Sequence, residues 1–152
     1  MRKARLLAIL SLFGLVWATG AGAADEHKDK KTGGKTLTAT LTGSTEVPGP
    51  GDPDGSGEVT VTSEGQNRLC FDVKVSNIDP PTAAHIHKGS AGTSGPPVVT
   101  LPQVTSTTGK NCVEADSKII SEIQRSPADY YFNVHNSKYP NGAVRGQLKM
   151  GR

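Results

Sequence analysis

In three stretches between residues 37 and 75, apolar side chains fall at every second position, and this alternation restricts the fold more than any other feature of the chain. Leu37, Ala39 and Leu41 alternate with threonines, Val59 and Val61 with Thr60 and Thr62, and Leu69, Phe71, Val73 and Val75 with Cys70, Asp72, Lys74 and Ser76. Successive side chains of a strand leave opposite faces, so period two marks strands with one buried face. The connections Pro48-Gly49-Pro50-Gly51-Asp52-Pro53-Asp54-Gly55, Glu64-Gly65-Gln66-Asn67 and Pro140-Asn141-Gly142 carry turn chemistry. Many short strands at this spacing predict an all-β fold, an antiparallel β-sandwich or barrel of the Greek-key kind, with one short helical segment. In that helix Asp116 or Ser117 caps a stretch that sets Ile119, Ile120 and Ile123 on one side, and Ser126-Pro127-Ala128-Asp129 reads as a second helical start. Strands at 130–135 and 143–149 then pair as antiparallel neighbours through Pro140-Asn141-Gly142.

The amino-terminal end reads differently. Met1-Arg2-Lys3-Ala4-Arg5 precedes an apolar run from Leu6 to Trp17 and a small-residue stretch ending Ala21-Gly22-Ala23-Ala24. A basic start, a short apolar core and an A-x-A site are the parts of a secretory signal, so residues 1–23 are expected to be a signal peptide, cut after Ala23 or Ala24. The apolar run is shorter than a membrane span requires, and no membrane span is expected after cleavage. Residues 24–35 are charged and without periodicity, a flexible linker, and the domain is expected at 36–152. The protein is thus expected to be secreted or periplasmic, where Cys70 and Cys112 are most simply a disulfide. The chain holds 17 Lys+Arg and 14 Asp+Glu, but Arg2, Lys3 and Arg5 leave with the signal, which balances the charges. A neutral chain has no general drive toward phosphates, so nucleic acid is set aside as a partner.

Several chemical motifs fail on inspection. Gly33-Gly34-Lys35-Thr36 ends like a phosphate-binding loop, but Asp29 stands where the first glycine belongs. The hydrolase, zinc-protease and dinucleotide signatures are absent, and no catalytic residue is assigned. Asp52-Pro53-Asp54-Gly55-Ser56-Gly57-Glu58 alternates oxygen ligands but lacks a calcium loop's distant bidentate Glu, and reads as a solvated hairpin turn.

The histidines carry the concentrated signal. His85 and His87 are two apart, so on a strand both leave one face, with Ala84 and Ile86 turned to the core. Their backbones are then about 6.5 Å apart, which lets two imidazoles converge on one ion. On the last hairpin Tyr131, Asn133 and His135 share one face, Phe132 and Val134 the other, while Arg145 and Gln147 alternate with Val144 and Leu148. His85, His87 and His135 are therefore candidate ligands for copper or zinc, with Asn133, Tyr131 and Arg145 in support. The alternative is a set of hydrogen-bonded struts that fix residues 89–95 against the final hairpin. A separate square-planar Cu(II) or Ni(II) site would arise at the amino terminus if the mature chain began Asp25-Glu26-His27.

Three segments resemble one family. Leu41-Thr42-Gly43-Ser44-Thr45-Glu46-Val47-Pro48, then Ala83-Ala84-His85-Ile86-His87-Lys88-Gly89 with Gly95-Pro96-Pro97-Val98-Val99, then Tyr130-Tyr131-Phe132-Asn133-Val134-His135 with Pro140-Asn141-Gly142-Ala143-Val144-Arg145-Gly146-Gln147-Leu148, resemble the chordin-type (CHRD) domain in its single-copy exported bacterial form. The resemblance implies an extracellular, β-rich module that works by binding, with an unidentified protein or surface ligand as partner, and implies no enzymatic activity. Locally, His85, His87 and His135 with Arg145 are also similar to the copper-binding strand of copper/zinc superoxide dismutases. That likeness implies three ligands and an anion-attracting arginine, but His27 is the one remaining histidine, too few for a second metal site. The expected function is a binding or structural module with a three-His copper or zinc site. A small redox metalloenzyme of the dismutase type and a metal-free adhesion module are the alternatives.

Overall fold

The structure, a computed structural model, describes residues 34–101, 104 and 107–152. The expected signal at 1–23, nearly all of the linker and His27 lie outside the described residues. The strands are β1 (Thr36–Thr42), β2 (Ser56–Glu64), β3 (Arg68–Ser76), β4 (Pro81–Lys88), β5 (Pro97–Leu101), β6 (Thr108–Glu114), β7 (Tyr130–Asn136), β8 (Val144–Gln147) and β9 (Lys149–Met150), with helix α1 (Ser117–Arg125) between β6 and β7. They form one antiparallel sheet in the order β5-β4-β7-β8-β1-β2-β3-β6, with β9 beside β1, curled into a nearly closed barrel. The expected all-β fold is the one observed.

The alternation sets the inside of the barrel. Leu37, Leu41, Val59, Val61, Leu69, Phe71 and Val73 are all buried, and Ala84, Ile86, Phe132, Val134 and Val144 meet them from the other strands. Burial of such side chains contributes about 1.5–3 kcal/mol each and drives closure of the sheet. β3 and β4 are consecutive in the chain yet far apart in the strand order, which is the Greek-key step. Asn77 opens that connection with φ 59°, a left-handed conformation that asparagine tolerates. The carboxylate of Asp116 accepts from the Lys118 N–H and caps α1, which lays Ile120 and Ile123 on the core.

Two local readings change. The segment around Asp52 is not a solvated turn: Asp52 is buried, its N–H donates to Ala143 O, and the Gly51 N–H donates to Gly43 O. The long β1–β2 connection folds back under the β7–β8 turn, because the unpaired carbonyl of Ala143 offers it a backbone partner. The last strand also breaks at Leu148, whose side chain turns into the core and whose N–H donates to Tyr130 O; β9 then pairs with β1.

Candidate metal centre

β7 lies between β4 and β8, and the register puts the site residues in rows. His85 faces Asn133, which faces Arg145, while His87 faces Tyr131, which faces Gln147. Their neighbours Ala84, Ile86, Phe132, Val134 and Val144 fill the barrel, so these side chains stand on its outer face. That face is covered. Tyr131, Asn133 and Arg145 are each only 2% exposed. Residues 89–95 lie over it: Arg145 Nη2 donates to Ser90 O (3.2 Å), and Gln147 Nε2 donates to Gly89 O (2.7 Å). Thr45 reaches in from the other side and donates its hydroxyl to Arg145 O (2.6 Å).

The three histidines meet at the β4–β7 seam. His85 Nδ1 and His135 Nε2 are 2.9 Å apart, and one ring nitrogen from each of His85, His87 and His135 lies within 4.8 Å of the others. Three imidazole nitrogens this close are a set of the kind that zinc takes at about 2.0–2.1 Å from each. The expected convergence of β4 and the last hairpin is what the fold produces.

Two backbone carbonyls set the tautomers. His87 Nδ1 lies 2.8 Å from Gly95 O, and His135 Nδ1 lies 3.0 Å from Pro140 O. A carbonyl can only accept, so both Nδ1 atoms carry the proton and both Nε2 atoms present lone pairs; that of His135 accepts from His85 Nδ1–H across the 2.9 Å contact. His87 Nε2 and Asn133 Oδ1 are both buried and neither makes a hydrogen bond of regular geometry, although the Asn133 side chain is close enough to raise the proton affinity of His87. Two buried acceptors without a donor form a place that favours a cation.

Electrostatics act in the same direction. Burial, with the neighbouring His135 and His87 second, lowers the pKa of His85 to about 4. Burial also lowers His87 and His135, with Arg145 adding to the first and His87 to the second. All three rings are held neutral, the form that ligates metals. The ring of His87 stacks on Tyr131 (centroids 4.8 Å apart), and the guanidinium of Arg145 sits 3.4 Å from the centroid of the Tyr131 ring. Arg145 is thus a buried cation packed on an aromatic face and close enough to depress the proton affinity of His87.

The model of the CHRD domain family matches residues 37–148. The chain belongs to this family. A search of curated proteins returned no match. The CHRD match spans β1 to the end of β8, so the histidine cluster, Tyr131, Asn133 and Arg145 are all parts of the domain itself. A CHRD domain suggests a binding or structural module. The polar residue that sequence reasoning missed in this CHRD domain is Glu46, 6% exposed, with Oε1 unpartnered and burial raising its pKa to about 7. Its signal was a lone carboxylate inside the first motif, unremarkable until the fold places it near Arg145.

Proposed function

We propose that this protein is an exported CHRD module that binds one copper or zinc ion through His85 Nδ1, His87 Nε2 and His135 Nε2. The observation that carries this reading is the pair of carbonyl-fixed tautomers: the His87 lone pair is buried without a donor of regular geometry, and that of His135 is held only by His85 Nδ1–H, whose proton would move to Nε2 as the metal takes its place. A hydrogen-bonded strut needs its acceptors satisfied, whereas a ligand set needs them free. Gly95 O and Pro140 O would then orient two of the rings, and residues 89–95 would restrict access of water.

The metal content of protein purified from its native compartment, followed by calorimetric titration with zinc and with copper, tests the proposal. One equivalent of metal is expected, with affinity reduced at least about tenfold in His87→Gln and in His135→Gln. Absence of stoichiometric uptake would leave a metal-free interaction module. Uptake together with turnover of superoxide would move the protein to the redox enzymes.

A further inference from the structure

Beside the histidine cluster lies a second polar site with different chemistry. A cleft of about 240 Å³ opens between residues 44–47 and the Ala91–Gly92 segment, with Arg145 and Gln147 among its lining residues. Gln147 is fully engaged, its Nε2 directed at the carbonyls of Gly89, Ala128 and Tyr130. Arg145 is not. One guanidinium nitrogen, Nη2, donates to Ser90 O, while Nη1 is buried without any partner, in a residue 98% removed from solvent by the 2% exposure given above. Glu46, the one carboxylate that lines the cleft, also keeps an unpartnered buried oxygen, and no salt bridge joins it to Arg145.

A guanidinium N–H and a carboxyl oxygen, both buried and unpaired, on two residues that line one small cleft are costly to leave unmade. We propose that this cleft binds a single small carboxylate, which accepts from Arg145 Nη1. Arg145 is suited to this because its plane is fixed by Tyr131 and Ser90, so little freedom is lost when it donates. Glu46 supports the same ligand in its neutral form: burial lifts its pKa to about 7, and a protonated carboxyl donates to an oxyanion. The cleft is smaller than the roughly 300–1,000 Å³ of pockets for drug-sized ligands, so its occupant is a short acid or the end of a chain. Val47 and Ala91 supply the apolar wall. The site shares Arg145 with the surroundings of the metal centre, but it uses none of the three histidines and stands without bound metal.

Amide-resolved NMR of the metal-free protein tests this, with acetate and N-acetyl-Ala-Ala as the carboxylates and acetamide and the corresponding peptide amide as controls. Both acids are expected to shift the amides of Thr45, Val47, Ala91 and Gly92, and the amides to leave them unmoved. Tighter binding of the peptide acid than of acetate identifies a chain terminus as the ligand; equal or weaker binding identifies a free small acid. Arg145→Lys, which keeps the charge but loses the fork, is expected to weaken acetate at least about tenfold. Should that variant fail to fold, Glu46→Gln carries the test: at pH 7.5, above its pKa of about 7, the Glu46 carboxyl is mostly ionised and opposes the ligand, whereas the amide still donates, so acetate is expected to tighten about threefold. Controls that bind as well as the acids, no shift at these amides, or acetate affinity unchanged in both variants would overturn the proposal.

Discussion

Gly142, in the β7–β8 turn, has φ +140°, and a methyl group built there would run into the carboxyl of Glu46. The residue is required twice, by its backbone conformation and by what lies against it. Gly142→Ala is therefore expected to destabilise the domain by about 1–3 kcal/mol, measured by urea denaturation. Glu46 itself gives a pH signature. Its folded pKa of about 7 lies above the ordinary carboxyl value of 4.5, chiefly because of burial, so the folded state holds a proton that the unfolded state has released. Its contribution is fully present below about pH 4.5 and is lost as the pH rises through 7. A loss of up to about 3 kcal/mol between pH 4.5 and 8 is expected from this group. Glu46→Gln should remove that loss, and denaturation curves at the two ends of the range check it; an unchanged slope in the variant would contradict the assignment.

At the level of elements, the strand pattern was legible because each alternating stretch reports its own buried face. Leu69 and Phe71 point in, Cys70 points out, and the latter stands directly opposite Cys112 on β6, joined to it as a disulfide. The bond closes a loop between residues 42 apart and ties β6, at one end of the strand order, to β3. Replacing both cysteines by alanine is expected to cost about 2–4 kcal/mol, read from denaturation midpoints, and thiol titration of the denatured, unreduced protein should find none free. The cap of α1 by Asp116 was equally local and equally readable. What could not be read was strand order. Nothing in β4 states that β7 is its partner, and a slip of one residue would turn His135 to the other face. The break at Leu148 was missed for the same reason, since it depends on a backbone bond to Tyr130 and a new pairing with β1.

On the scale of the whole molecule, the barrel does two things for the site. It brings β4 and β7 side by side, and it lets residues 44–47 and 89–95 close over an outer face that period two alone marks as solvated. The three histidines were visible in the sequence as a pattern, whereas the carbonyls of Gly95 and Pro140 and the burial of Glu46 and Arg145 were not, because they come from loops folding back across many residues. The proposed metal centre is a property of that closure: neutral rings, fixed tautomers and a lone pair without a donor. Imidazole ¹⁵N NMR of the chain that carries His27, before and after one equivalent of zinc, tests this most directly. The metal-free spectrum is expected to show His87 and His135 as Nδ1–H tautomers. Zinc should then shift His85 Nδ1, His87 Nε2 and His135 Nε2 together and leave His27 unmoved. Nε2–H tautomers at His87 or His135, or zinc shifts confined to His27, would contradict it.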